Sequence, residues 1–539
     1  MANYKQEKEA FVSGMTGSSI GHINLISLAA LASVSLYAAL RTRLPKTRQF
    51  NFLESWALLV LPLLLSMTLF ATRPVLLSAI LLIPTCVLLL MPKQEGPSPL
   101  PSKQPPSPGG QIRVKLPPLP ALTTYRAHMM LMTILAILAV DFPIFPRSLA
   151  KCETFGVSLM DLGVGSFVFS QGVVSALPLI RDQNYLTKPL WGKLVRVTEK
   201  CVPIILLGLV RVLLVKGSEY PEHVTEYGVH WNFFLTLAFL PILQVLLHPL
   251  IIHLPISMIG IAVAVAQQAA LSQYGLKEYV LNAPRTTLIS ANKEGLVSLP
   301  GYLAIHLLGL SAGTLILPPT PSFFRRRQQA IAAEVKKPKR ADTDNDDTPG
   351  TPYNKDLDLQ APRQLGKTAT ELCSYAILWW TLLGISKLVE IDGSWGPTGG
   401  ISRRIVNVPY IFWVAAYNIS FTLAYIIILD LFFFPVPKAR KVPGHLKSPT
   451  SSGQEILQQQ YPMASTILEG NPPELLEAIN KHGLALFLIA NVLTGLINIS
   501  LKTMYMSDSA SIVVLSAYAF VISAVAWVWN RMDNARKQS

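Results

Sequence analysis

The sequence predicts an all-α polytopic membrane protein with about thirteen transmembrane helices, its N-terminus lumenal and its C-terminus cytosolic. Three observations carry this reading. Of 539 residues, 51% are hydrophobic and only 14% are charged, whereas a soluble domain carries about a quarter charged residues. Apolar runs of about 20 residues recur from end to end, each long enough to cross a hydrocarbon core roughly 30 Å thick. The runs are apolar all round rather than along one stripe, unlike a surface helix of a soluble domain.

The elements follow in order. A polar stretch with acids among its bases precedes the first run, 22–40, which reads as an uncleaved insertion signal. Runs at 53–70 and 74–91 come next. Residues 92–121 are crowded with proline (Pro97, Pro99, Pro101, Pro105, Pro106, Pro108) and read as a disordered cytosolic linker. Six runs follow, at 122–140, 159–178, 201–215, 231–251, 254–272 and 297–317. Residues 318–370 mix Arg325, Arg326, Arg327, Lys336 and Lys337 with an acidic tract from Asp342 to Asp347, and read as a second disordered cytosolic linker. After runs at 371–388 and 408–432, residues 433–482 form a polar cytosolic loop with a short surface helix expected around Pro473–Ile479. Runs at 484–504 and 510–530 complete the chain. No internal repeat is visible, so 1–539 reads as a single transmembrane domain.

An odd number of spans places the termini on opposite sides. Loops on the C-terminal side hold roughly 31 Lys and Arg and those on the N-terminal side roughly 11, which puts the C-terminus in the cytosol. The net charge of +15 is thus topology information. No basic face alternates with stacking aromatics, so no nucleic-acid partner is expected. Cys86, Cys152, Cys201 and Cys373 form no C-x-x-C, and indicate neither a disulfide framework nor a metal site.

The loops opposite the cytosol are short and chemically dense. They hold Asp141, Arg147, Lys151, Glu153 and Asp161; His230, Trp231, Asn232 and Phe233; Arg285, Asn292, Lys293 and Glu294; and Arg403, Arg404 and Asn407. Asn491 and Asn498 share one face of the twelfth run. Each also has a structural reading. Asp141 and Arg147 suit helix ends, His230 and Trp231 suit an interfacial anchor, and the two asparagines suit interhelical hydrogen bonds. Ionisable groups at membrane depth are costly and usually pair or line a polar cavity. There is no G-x-S-x-G, P-loop or H-x-x-x-x-D. A polar, mixed-charge site on one face fits an enzyme acting on a lipid head group, and it also fits a transporter.

The stretch Lys8 to Ser19, with Lys-Glu-Ala-Phe-Val-Ser-Gly and Thr-Gly-Ser-Ser, resembles the opening of the GPI-inositol acyltransferase family. That family includes fungal GPI-anchored wall transfer proteins and mammalian phosphatidylinositol-glycan class W proteins. The strongest likeness runs from Asp141 to Ser175 and begins Asp-Phe-Pro-x-Phe-Pro-Arg. His230 to Phe234, Leu288 to Gly295 and Asn491 to Asn498 agree with it, and the long linkers resemble fungal members. The resemblance implies transfer of a fatty acyl group, usually palmitoyl, from acyl-CoA to the inositol ring of glucosaminyl-phosphatidylinositol. It implies an endoplasmic-reticulum membrane location, membrane lipid and acyl-CoA as partners, no bound cofactor, and, for a fungal member, an antifungal target. A multispan lipid transporter and a non-catalytic subunit of a GPI-assembly complex are the alternatives.

An inositol hydroxyl needs a base to take its proton, and the thioester oxyanion needs a positive or hydrogen-bonding group. The resemblance implies Asp141 and Lys151 as the catalytic pair, with Asp141 as base. Lys151 is expected to fold back across a loop stiffened by Pro143 and Pro146. His230 is the rival base, since imidazole titrates in the right range. Arg147, Lys293, Arg403 and Arg404 are expected at the lipid and CoA phosphates, and Asn232, Asn292 and Asp161 at the sugar hydroxyls. Trp231, Phe233, Asn491 and Asn498 complete the expected substrate-binding set. No metal is expected, because the carboxylates are dispersed and His230 has no nearby ligand partner.

Overall fold

The structure is a computed structural model that describes residues 7–8, 10–44, 50–93, 118–182, 184–216, 224–336, 359, 361, 363–391, 400–435 and 472–538. Every one of the thirteen apolar runs coincides with helix. Eight described helices are long and apolar enough to cross a membrane: α1 (Ile20–Arg43), α5 (Pro120–Ala139), α6 (Leu159–Arg181), α10 (Ile256–Gln273), α11 (Lys293–Ile316), α14 (Val408–Tyr425) with its π-helical continuation Ile426–Phe433, α16 (Gly483–Ser500) and α17 (Asp508–Gln538).

The other five runs are broken, shorter or more charged. Pro62 divides the second run into α2 (Phe52–Leu59) and α3 (Leu61–Ser66), because proline lacks the N–H that would continue the ladder. Pro249 does the same between α8 (Phe233–Leu246) and α9 (His248–His253). The third run is α4 (Pro74–Leu89), of 16 residues. The helices α7 (Leu190–Lys216) and α13 (Leu365–Leu388) carry basic and acidic side chains along their length.

Helices α6 and α11 pack most closely, through small residues. A Cβ on Gly172 would lie 2.1 Å from the His306 carbonyl oxygen, and one on Gly309 2.1 Å from that of Phe169. Such contacts let backbones approach where lipid offers no hydrophobic drive between helices. Most of α1, α5, α11 and α14 is interior, whereas α10 and α16 lie at the periphery.

Two stretches depart from their sequence reading. Part of the expected 318–370 linker is the helix α12 (Phe323–Lys336). Its Phe323, Phe324, Arg327 and Ile331 are buried on one face, and Arg327 donates to the Leu179 and Ile180 carbonyls at 3.0 and 2.9 Å, closing the end of α6. The helix expected near Pro473 is α15 (Glu474–Lys481), but it is no surface helix. Leu475, Leu476, Ala478 and Ile479 are all buried, and it packs against α5 and α17. Most of the 92–121 linker and most of 433–482 lie outside the described residues.

The polar loops form one layer at one end of the bundle. Ser18 N donates to Val157 O at 2.6 Å, Gly156 N to Ile401 O at 2.8 Å, and Val229 N to Ala291 O at 2.9 Å. A parallel bridge joins Gly17 to Val157. Gly17 has φ +84°, and a Cβ there would sit 2.4 Å from Val157 O, so only glycine serves.

Candidate active site

Asp141 sits in the turn that ends α5, with its backbone N–H on Leu138 O at 3.1 Å. Pro143 and Pro146 limit the backbone that follows. The Arg147 guanidinium ties it down, donating to Phe142 O at 3.0 Å and to Phe145 O at 2.8 Å. Asp141 is 3% exposed. Asn498 Nδ2 donates to its Oδ2 at 2.7 Å, and Lys8 Nζ lies 3.4 Å from its Oδ1.

Asp141 stands on the wall of a cavity of ≈ 320 Å³. Around it the wall is polar, with Lys8, Ser13, Lys151, Glu153, Glu226 and Arg403. Further along, the wall turns apolar, with Met132, Ala136, Leu159, Phe167, Phe421 and Phe487. At its far reach stand Tyr125, His128 and Tyr425. His128 Nδ1 and the Tyr425 hydroxyl are 2.6 Å apart, and Tyr125 donates its hydroxyl to Asn418 Oδ1. Thirteen residues of one helix separate His128 from Asp141, a rise of about 20 Å.

Two ion pairs border the polar end. Lys151 Nζ donates to both Glu226 carboxylate oxygens at 2.8 Å. Arg403 Nε donates to Asp161 Oδ1 at 2.5 Å, and both groups are buried. Asp161 Oδ2 also accepts from Ser158 Oγ at 2.8 Å and from Cys152 N at 2.9 Å. Burial tends to depress the Arg403 guanidinium, but the Asp161 and Glu226 carboxylates more than offset it and hold the charge. Burial, with the Asp161 carboxylate beside it, pushes the Cys152 thiol well up, so it is a poor nucleophile.

Such a cavity offers a carboxylate to take a proton, cations for an anion, and an apolar channel for a hydrocarbon chain. A sequence model of the GWT1 family matches residues 4–529. The chain belongs to the GWT1 family. It is 37% identical to GPI-anchored wall transfer protein 1 of Aspergillus oryzae, over 99% of each chain. It is 37% identical to that of Aspergillus fumigatus over 97% of each. With the Cryptococcus neoformans var. neoformans protein of the same name, identity is 34% over 98% of this chain and 99% of the relative.

In this GWT1-family chain, Asp141, Lys151, Trp231, Asn232, Phe233, Arg403 and Asn491 share the cavity wall. Lys151, however, does not fold back to Asp141. Glu226, on the helical turn Val224–Tyr227, reaches it from the other side, and the amine beside Asp141 is that of Lys8. His230, the rival base, is exposed, and the wall passes from Val229 to Trp231 without it.

Several expected ligands brace the loops instead. Arg147 spends donors on carbonyls, and Lys293 Nζ donates to Tyr279 O and Ala283 O. Arg404 Nη2 donates at 3.0 Å to Glu294, which also receives Arg285. Asn292 Oδ1 accepts from the backbone N–H groups of His230 and Trp231 at 2.8 and 2.9 Å. Asn498 holds Asp141, and Asp161 holds Arg403.

Sequence reasoning missed Lys8, Glu226 and His128. A histidine well inside an apolar run was a signal for the last. Lys8 opens the family-like stretch Lys8 to Ser19, which carried no role for it, and nothing local marked Glu226.

Proposed function

We propose that the chain is an inositol O-acyltransferase that moves a fatty acyl group, palmitoyl, from acyl-CoA to the inositol ring of glucosaminyl-phosphatidylinositol in GPI-anchor biosynthesis. The reaction takes place in the endoplasmic reticulum membrane, with the Asp141 end of the bundle lumenal. One observation carries the reading: a single cavity joins a buried carboxylate and cations at one end to an apolar channel at the other. Family membership and the names of the relatives support it.

The acceptor hydroxyl lies against Asp141, which takes its proton as the oxygen attacks the thioester carbon. A carbon–oxygen bond forms and the carbon–sulfur bond breaks. The proton passes from Asp141 to the departing thiolate, giving free CoA thiol. Lys151 lines this end of the cavity, 33% exposed, and turns from Glu226 to take the oxyanion. Arg403 faces phosphate and Asn491 the sugar, while Asn232 spends its amide on Gly208 O and on the Phe234 and Leu235 N–H groups that begin α8. Met132, Phe167 and Phe487 flank the acyl chain. Transfer is direct, since the Cys152 thiol is held protonated.

The test compares membranes holding matched amounts of wild type or Asp141→Asn, given labelled palmitoyl-CoA and glucosaminyl-phosphatidylinositol. Acylated lipid from the wild type and a loss of at least about a hundredfold in the variant are expected. Equal product from both removes Asp141 from the chemistry. No product from folded wild type refutes the acyltransferase reading and favours a transporter.

A further inference from the structure

We propose that Lys8 is a positioning residue of this reaction: its ammonium fixes the Asn498 amide, and together they hold the Asp141 carboxylate facing the acceptor hydroxyl. The proposal rests on the acyltransferase reading.

A lysine that is 6% exposed is costly unless its charge is matched. Here Nζ donates to Asn498 Oδ1 at 2.7 Å and faces Asp141 Oδ1 at 3.4 Å. The contact decides which way the amide points. Asn498 Oδ1 accepts from Lys8 and from Thr503 Oγ1 at 3.1 Å, so Nδ2 must face the other way. It then donates to Thr494 O at 3.0 Å and to Asp141 Oδ2 at 2.7 Å. A flipped amide would set N–H groups against an ammonium and an oxygen against a carboxylate, both repulsive. With Oδ2 fixed by the amide, the free lone pairs of the carboxylate lie toward the cavity, where a hydroxyl can meet them.

The segment that carries Lys8 is anchored on both sides of it, so the pair is not what holds the segment in place. The Tyr505 hydroxyl donates to Glu7. The Arg147 guanidinium lies 4.1 Å over the Phe11 ring, and the same guanidinium donates to the turn that follows Asp141. Gly14 N donates to Glu153 Oε2 at 3.0 Å, and Glu153 N to Met15 O at 3.2 Å. The strap therefore reaches the Asp141 turn twice, through charge at Lys8 and through a stacked ring at Phe11. Loss of the Lys8 charge leaves the second link intact.

The experiment uses full-length protein in detergent, with palmitoyl-CoA, glucosaminyl-phosphatidylinositol and a melting temperature for each variant. Lys8→Met is expected to lower kcat by about 10–100-fold, as a displaced catalytic group does, with both KM values held within about threefold. Lys8→Arg is expected to recover kcat to within about tenfold of wild type, and Asn498→Leu to reproduce the loss. If Lys8→Met yields no folded protein, Lys8→Gln, which keeps a donor without the charge, carries the same comparison. Wild-type kcat in the uncharged variant overturns the proposal. So does a loss carried in KM, or an equal loss in Lys8→Arg, and in each case the acyltransferase reading stands. A wild type that forms no acylated lipid overturns both.

Discussion

The depth of the cavity makes a quantitative prediction about acyl-chain length. Asp141 and His128 are separated by a helical rise of about 20 Å. Carbon–carbon bonds of about 1.5 Å advance a zigzag chain by roughly 1.25 Å each, so the channel takes about sixteen carbons before it meets His128 and Tyr425. Met132 lines the same wall nine residues from Asp141, at a depth of about 13 Å. Met132→Trp should close the channel there and leave room for about ten or eleven carbons. About five methylenes then lose their burial, at about 0.8 kcal/mol each, or roughly 4 kcal/mol together. The assay measures kcat/KM with decanoyl-, dodecanoyl- and hexadecanoyl-CoA at fixed acceptor. Hexadecanoyl-CoA should fall by up to about a thousandfold while decanoyl-CoA changes by less than about threefold. An equal fall for all three donors, or no fall, would show that the acyl chain lies elsewhere.

Other outcomes follow from the ion pairs and the buried thiol. Asp161→Asn leaves the Arg403 charge buried without its partner, so it should cost about 3–5 kcal/mol and lower the melting temperature in detergent. An unchanged transition would remove this pair from the framework. The Lys151–Glu226 pair is partly exposed and contributes less than about 1 kcal/mol, so Lys151→Met should fold normally yet lose about a hundredfold in activity. Retained activity would make Lys151 a brace only. A thiol pushed up by burial and Asp161 has almost no thiolate, so maleimide should miss Cys152 in the folded protein at pH 7 to 9 and label it after denaturation. Labelling of the folded protein at the rate of a free exposed thiol would contradict the burial.

Much of the fold was legible because solvent dictates it. A backbone in hydrocarbon must satisfy its own hydrogen bonds, so each apolar run had to be helical. The runs 53–70 and 231–251 read as continuous spans, and the divisions at Pro62 and Pro249 emerged only in the structure, where proline cannot continue the ladder. The helix α12 was hidden by its charge, although Phe323, Arg327 and Ile331 recur at helical spacing. At the site, Asp141, Lys151, Trp231 and Arg403 were legible as polar groups crowded at the ends of apolar runs. Their partners were not. Glu226 meets Lys151 across 75 positions, a proximity set by how helices pack rather than by any local pattern. Arginine type alone likewise did not separate Arg403, on the cavity wall, from Arg404, which braces Glu294.

The Lys8–Asn498 contact also ties chemistry to biogenesis. Its two members are 490 residues apart, so Asn498 is made long after Lys8. At about 5–20 residues per second, roughly half a minute to a minute and a half of synthesis separates them. From the synthesis of Asp141 until that of Asn498, the carboxylate lacks the amide that holds it. The polar end of the cavity is thus complete only after α16 has entered the bundle. On the acyltransferase reading proposed above, a nascent chain built this way begins to consume acyl donor only once α16 is in place.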